Sequence, residues 1–439
     1  MSVLRSCLAT LREAPLQARS GRVCRIQGLA LGSLGPAVAV GQLCRVVPAS
    51  GGAAVLAEVV GCQGDERTLL AYGSLHGIGA DAAVVAVDAP LAVQAGPALL
   101  GRVIDAFGEP LDGSEPAPRP AAVSVQPDTN PLDRPPIDQV LETGVRVIDA
   151  LLTLGRGQRV GIFAGSGVGK SSLLGLVARH VQADVNVVAL IGERGREVRE
   201  FIDRHLGPAG LARSVVVVAT SDQPALARVR AAHTAVDIAR QFARTGRHVV
   251  LTMDSVTRLA MARREIGLAS GEPATARGYT PSVFAELPGL CERCGTDASG
   301  GSVTALWTVL VEGGDLDEPV ADSLRALLDG HIVLSRELAQ QGHFPPIDVL
   351  RSVSRLQHHL ADPAEREAAQ AARNLLALLD RNRPLVDLGA YQPGAQPALD
   401  RALALEPQLL AWMRQAEGGV ARATALRELR ELLATGGAA

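Results

Sequence analysis

The chain has 439 residues, 47% hydrophobic and 20% charged, which excludes general disorder and leaves room for two or three domains around a sizeable core. A formal net charge of −3 with only 3% aromatic residues excludes a general electrostatic or stacking footprint for nucleic acid. No apolar stretch of membrane-spanning length is free of charge or proline; the best candidate, residues 82–100, is broken by Asp88, Pro90, Gln94 and Pro97.

In chain order, residues 1–13 carry Arg5, Arg12 and Glu13 where a secretory segment needs an unbroken apolar run. A short amphipathic helix and a cytoplasmic location are therefore expected. Short β-rich segments broken by Gly and Pro follow at 23–29, 37–47, 54–60, 68–72 and 83–87, the spacing of a small β-barrel in a domain over 1–95. Prolines at 110, 116, 118, 120, 127, 131, 135 and 136 predict an extended strap running over the surface. Beyond it, apolar strands at 159–163, 184–191, 214–219, 248–253, 302–311 and 331–334 alternate with helical patterns such as 223–244 and 255–268. That alternation predicts a parallel sheet with helices on both faces in a domain over 96–360. From residue 363 the composition shifts to Ala, Leu, Arg and Glu with helical spacing, for example 365–381 and 421–434. A C-terminal helical domain over 361–439 is expected.

Six cysteines, at 7, 24, 44, 62, 291 and 294, lack the density of a secreted disulfide framework. Cys291 and Cys294 form a lone C-x-x-C with no second pair, so buried thiols are expected there rather than a zinc or redox site. The pair His358 and His359 has only Asp362 one turn away, too few ligands for a closed metal site.

The chemistry concentrates in Ala164-Gly165-Ser166-Gly167-Val168-Gly169-Lys170-Ser171, which follows an apolar strand and opens the helix beginning at Ser172. Glycines let backbone N–H groups fold around phosphate oxygens, the helix N-terminus adds partial positive charge, Lys170 reaches the terminal phosphates and Ser171 can hold Mg²⁺. The segment reads as a P-loop for a nucleoside triphosphate, with Gly165, Ser166, Gly167, Val168, Gly169, Lys170, Ser171 and Ser172 as its binding residues. Ala164 stands where the pattern starts with Gly, so the loop is expected to tolerate a Cβ at its first turn. Lys170 is the only lysine in the chain; every other member of the Lys plus Arg total of 43 is Arg. A composition so shifted leaves lysine where a compact ammonium cannot be replaced by a planar guanidinium.

In an open parallel sheet ligands sit beyond the carboxyl ends of the strands. The strand 248–253 ends in Asp254, the form of a Walker B acid that holds Mg²⁺ through its water shell, or else a helix N-cap. The strand 184–191 runs into Gly192-Glu193-Arg194-Gly195-Arg196-Glu197. A carboxylate at Glu193 can orient and polarise an attacking water, the alternative being a surface pair with Arg194 or Arg196.

Together with Met253-Asp254-Ser255-Val256-Thr257-Arg258, Ser270-Gly271-Glu272-Pro273, Gly278-Tyr279-Thr280-Pro281-Ser282-Val283-Phe284 and Leu328-Asp329-Gly330-His331-Ile332-Val333-Leu334-Ser335-Arg336, these segments resemble the type III secretion ATPases, hexameric relatives of the rotary ATP synthase subunits. The match runs from about 101 to 355. The resemblance implies an α/β fold with a RecA-like P-loop core and parallel sheet, preceded by a small N-terminal β-barrel and followed by a C-terminal helical domain. It implies ATP and Mg²⁺ as ligands and Glu193 as the catalytic carboxylate. It also implies that Arg355 is an arginine finger reaching the γ-phosphate held by a neighbouring subunit, that Phe344 packs on adenine, and that Arg194 and Arg258 lie near the phosphates.

The partners implied are a homohexamer, the stalk, stator and export-gate proteins of a secretion apparatus at the inner membrane, and chaperone–effector complexes, with no nucleic acid. Residues 220–224, 253–267 and 347–352 look more like the virulence injectisome branch than the flagellar one. Three other readings compete. A noncatalytic nucleotide-holding subunit lacks a carboxylate at the position of Glu193; a ring helicase needs a basic, aromatic-bearing surface; a proton-driven synthase subunit would travel with a different partner chain.

Overall fold

The computed structural model describes residues 19–87, 93–116, 130–311 and 314–435. The helix expected over 1–13 and the strap residues 117–129 lie outside the described residues. Among the described residues, no helix is long and apolar enough to cross a membrane.

Strands β1 (Ser20–Gln27), β2 (Ala30–Leu34), β3 (Leu43–Val47), β4 (Val55–Gln63), β5 (Glu66–Ala71) and β6 (Ala83–Val87) close into a barrel in the order β1-β2-β5-β4-β3-β6. Closure removes unpaired edges, and the inward residues Val23, Leu31, Val46, Val59, Leu69 and Val84 fill its interior. Two expected strands differ from the observed ones. The segment expected at 23–29 turns back at Gly28 and returns as β2, and of 37–47 only Leu43–Val47 pairs, the preceding residues forming loop and turn.

A second compact unit holds the nucleotide-binding core and the C-terminal helices. In chain order its strands are β7 (Val103–Ile104), β8 (Val140–Leu141), β9 (Leu154–Gly155), β10 (Arg159–Ala164), β11 (Val185–Ile191), β12 (Ser214–Ala219), β13 (His248–Asp254), β14 (Gly295–Thr296), β15 (Ser302–Leu310), β16 (Gly330–Leu334) and β17 (Ile347–Ser354). The main sheet runs β17-β16-β10-β15-β13-β11-β12-β7, with β14 added to β15, while β8 and β9 pair separately. The six strands expected from the sequence all pair in parallel. They are apolar and buried almost throughout because both faces of the sheet are covered. The added strand β17 is antiparallel to β16 at the sheet's edge, and its buried and exposed positions partly alternate, as a half-solvated edge strand requires.

Helix α1 (Arg146–Leu151) precedes the sheet and α2 (Lys170–His180) follows the P-loop; α3 (Gly195–Glu200), α4 (Ala225–Ala243), α5 (Val256–Ala269), α6 (Pro281–Glu292), α7 (Pro319–Leu327) and α8 (Arg336–Gln340) come later. The chain ends in α9 (Pro363–Asp387), α10 (Pro397–Met413) and α11 (Arg422–Thr435). Asp362 and Glu365 form a reciprocal capping box at the start of α9. The same Glu365 accepts two bonds, 2.8 and 2.7 Å, from the Arg422 guanidinium at the start of α11, so one carboxylate fixes two helix starts. Ala368, Ala372, Leu409, Trp412, Leu426 and Leu429 from these helices share one core with Val147 and Leu151 of α1 and Ile347 of β17.

Candidate active site

The P-loop leaves β10, whose last residue, Ala164, is fully buried and paired with Leu310 and Leu334. The turn begins one residue later than expected, so the Cβ of Ala164 points into the sheet's packing and not into the loop. Gly167 and Gly169 adopt φ of +76° and +91°, the left-handed region that turns successive N–H groups to one side. Val168 between them is buried and pins the loop to the core, while Ser166, Gly167 and Ser172 are exposed. Lys170 opens α2, and Ser171 follows within the first helical turn, where the free N–H groups and the helix dipole favour an anion.

Lys170 turns to two carboxylates. Its Nζ hydrogen-bonds Asp254 Oδ1 and lies 3.6 Å from Glu193 Oε1. Asp254 ends β13 and is 2% exposed; the Thr308 hydroxyl of the neighbouring β15 donates to its Oδ1 at 2.9 Å. The carboxylate is thus aimed before any ligand arrives. Buried Asp254 and the Ser171 hydroxyl are hard oxygen donors, and among the described residues no thiol or imidazole lines the cleft, a donor set that suits Mg²⁺ and not a softer metal.

Glu193 follows β11 through Gly192, whose φ is +71° and whose added Cβ would come 2.8 Å from Arg258 Cδ. The close approach brings Arg258 Nε to 3.3 Å from Glu193 Oε1. Glu193 is 7% exposed and its carboxyl is pushed up to about 7 by burial, by a hydrogen bond with Glu197 and by the charge of Asp254, against the pull of Lys170 and Arg258. Glu197 is held below its usual range by that same bond. Arg194 is 72% exposed on its side chain and stands 3.7 Å from Glu197 at the cleft mouth.

Apart from buried Asp254, these groups border an open cleft of about 590 Å³ lined by the P-loop, Glu193, Arg194, Glu197, Arg258 and Arg336. The structure therefore brings Lys170, Ser171, Glu193, Arg194, Arg258 and Asp254 together. Phe344 lies against the loop: a Cβ on Gly169 would meet its Cε1 at 3.3 Å, and the ring is otherwise 42% exposed. Arg355 is not among the cleft's lining residues; it follows the edge strand β17, and its guanidinium donates to Arg325 O at 3.0 Å.

Three residues escaped the sequence reading. Glu197 carries a local signal, lying four residues after Glu193 where α3 begins. Arg336 lies in a matched segment, yet only the fold shows its guanidinium 3.2 Å from where a Cβ on Gly165 would be. Thr308 carries no signal at all, being one apolar-strand residue among many. Cys291 and Cys294 are buried, and burial pushes both thiols up to about 12, outside the range of reactive thiolates.

Residues 144–354 match the model for the ATP synthase alpha/beta family, nucleotide-binding domain, and residues 361–434 match that for the type III secretion system EscN ATPase C-terminal domain. The chain is 50% identical to the flagellum-specific ATP synthase of Bacillus subtilis, over 90% of this chain and 91% of the relative. It is 47% identical to the type 3 secretion system ATPase of Xanthomonas euvesicatoria, over 88% of this chain and 87% of the relative. The assembled ATPase EscN from the enteropathogenic E. coli type III secretion system superposes with a TM-score of 0.88 at 41% identity, covering 94% of this chain and 100% of that one, and EscN is also solved with its central stalk EscO. A RecA-like core behind a β-barrel, a P-loop cleft with its paired carboxylates and relatives matched over nine-tenths of their length place this chain in the family of the flagellum-specific ATP synthases and type III secretion ATPases.

Proposed function

We propose that the chain hydrolyses ATP within a homohexameric ring and that this hydrolysis energises type III protein export. The observation that carries the reading is Glu193, a buried carboxyl held near neutrality beside the chain's only lysine in a P-loop cleft. A base poised near the working pH has the best compromise between being deprotonated and being able to take a proton. In this reading the N–H groups of 165–169 cradle the phosphates, Lys170 exchanges Asp254 for the β- and γ-phosphates, and Glu193 orients the attacking water. Arg258 and Arg194 add positive charge beside the developing phosphoryl charge. Mg²⁺, held by Ser171 and Asp254, would neutralise phosphate charge when bound.

Phe344 offers its exposed face to adenine, stacking apolar ring on π-face. Arg355, which is not among the lining residues of its own chain's cleft, serves the γ-phosphate of an adjacent copy; the assembled state of EscN supports the ring. Residues 1–95, 96–360 and 361–439 act as barrel, motor and C-terminal helical domains. The partners proposed are a central stalk, as EscN has, together with stator and export-gate proteins at the inner membrane and chaperone–effector complexes, which the ring would separate and unfold.

The injectisome branch expected from the sequence competes with the flagellar one, which the 50% identity to a flagellar relative against 47% to a secretion relative favours. Complementation decides. The chain is expressed in strains lacking either the injectisome or the flagellar export ATPase, and effector secretion or motility is scored. Rescue by the native chain and not by Glu193→Gln is expected in one of them. A purified chain that releases no phosphate from ATP and rescues neither strain would overturn the proposal.

A further inference from the structure

Gln415 lies in the connection between α10 and α11, is not among the cleft's lining residues, and is 6% exposed. Its hydrogen bonds run to two pieces of the nucleotide core, the Phe344 loop and the 144–146 segment, and to Gly418 in its own connection. The main-chain N–H donates to Phe344 O at 2.8 Å. Side-chain Nε2 donates to Gly144 O at 2.7 Å and to Gly418 O at 2.7 Å, and Oε1 accepts from Arg146 N at 2.9 Å. Both amide protons and the amide oxygen are used, so the side chain has one permitted orientation. The bond to Arg146 satisfies an N–H at the start of α1, where Val145 provides no side-chain cap.

The far ends of these bonds are themselves fixed. Buried Asp149 accepts from Thr143 N, Thr143 Oγ1 and Gly144 N at 2.8, 2.7 and 2.9 Å, which immobilises the loop carrying Gly144. Gly144 has φ of +78° and lies so close to His180, the last residue of the P-loop helix, that an added Cβ would come within 2.6 Å of its side chain. Gly419 approaches the same imidazole as closely, at 2.7 Å for an added Cβ. Phe344, at the other end, touches the P-loop at Gly169 but leaves much of its ring open. Its carbonyl is tied to the C-terminal segment through Gln415 and through no other backbone bond among the described residues.

We infer that Gln415 is the positioning residue for the base-binding ring: it holds the Phe344 loop at a fixed distance from the P-loop, so that the C-terminal helices set the enzyme's affinity for the nucleobase. The inference rests on the reading of Phe344 as the adenine platform. Loss of the Gln415 side chain frees the connection and lets the Phe344 carbonyl drift, while the phosphate cradle, built from β10 and α2, keeps its own supports. Base recognition and phosphate recognition should therefore separate.

The experiment compares ATP with inorganic tripolyphosphate, which carries the phosphate chain without a base, by calorimetry on the full chain in a Glu193→Gln background that prevents turnover. Gln415→Leu is expected to weaken ATP about tenfold, the scale of one lost orienting contact, and to leave tripolyphosphate within about twofold. In the otherwise native enzyme KM for ATP should rise with kcat retained, a split that a merely destabilised fold does not produce. Phe344→Ala should show the same selective loss, and the double variant should lose no more than either single one, because Gln415 acts through that ring. Should Gln415→Leu fail to fold, Gln415→Glu keeps the acceptor for Arg146 N while removing the donors to Gly144 and Gly418, and the same selective loss is expected. Parallel weakening of ATP and tripolyphosphate, or unchanged ATP affinity in a folded variant, overturns the role of Gln415. If instead Phe344→Ala leaves the ratio of the two affinities unchanged, the adenine reading of Phe344 is what fails.

Discussion

At the residue scale the cleft is a small set of charges awaiting a larger one. Lys170 and Arg258 face Asp254, Glu193 and Glu197, and burial makes their mutual attraction stronger than on the surface. Burial, the bond to Glu197 and the charge of Asp254 push Glu193 up to about 7, while the same bond holds Glu197 low. A raised pKa means that Glu193 is protonated below about 7, so that in the proposed mechanism it can act as a base only as the pH rises through that value. The kcat/KM for MgATP, which reports the free enzyme, should therefore climb through an acid limb near pH 7. Glu197→Gln removes one of the causes of the raised pKa and should move the limb to lower pH. A pH profile unmoved by Glu197→Gln would refute the coupling of the two carboxyl groups. Glu193→Gln should bind ATP as the native chain does and lose turnover by about 10² or more, measured by calorimetry against single-turnover rates; equal losses in both would make Glu193 a pocket-shaping group. Lys170, Glu193 and Asp254 stood out in the sequence because each belongs to a local pattern at the carboxyl end of an apolar strand: the glycine-rich loop after β10, the turn after β11 and the last residue of β13. Thr308 and Arg336 did not, since their relation to the site exists only across strands.

At the scale of elements, each strand end must place a side chain where a straight continuation would not. The exit from β11 shows how. Gly192 takes φ of +71° and leaves no room for a Cβ beside Arg258, so one residue both turns the chain and brings the guanidinium to the carboxylate. Gly192→Ala should cost about 1–3 kcal/mol for the left-handed backbone and push Arg258 off Glu193. Its signature is a fall in turnover larger than any fall in ATP affinity, because the P-loop's own geometry is untouched; an unimpaired rate in the purified variant would contradict the close approach. The six parallel strands were readable because burial on both faces makes each a continuous apolar run. Strand β2 was missed because five residues after a two-residue turn present too short a pattern. The partly alternating edge strand β17 carries Val349 inward and Arg351 outward, a pattern that reads as loop until β16 is placed beside it.

At the scale of the whole molecule, the cleft of one chain is chemically incomplete in the proposed mechanism. Lys170, Glu193 and Arg258 gather in it, yet Arg355 lies beyond the edge strand and donates to Arg325 O, outside the cleft's lining. A finger from an adjacent copy would supply the missing charge, and specific activity should then rise steeply with protein concentration, because mass action controls how many complete sites exist. Arg355→Ala should still bind ATP and assemble but hydrolyse about 10³-fold more slowly, the lower end of what such fingers contribute. Mixing separates a shared site from a private one. Arg355→Ala and Lys170→Ala, each inactive alone, are combined and assayed after subunit exchange. Some interfaces in the mixed ring then join an intact P-loop from one chain to an intact Arg355 from the next. Activity recovered in the mixture, rising with the fraction of such interfaces, is the outcome expected of a site built by two chains. A native monomer that is fully active at every concentration, with no recovery on mixing, would show that Arg355 does not act between copies.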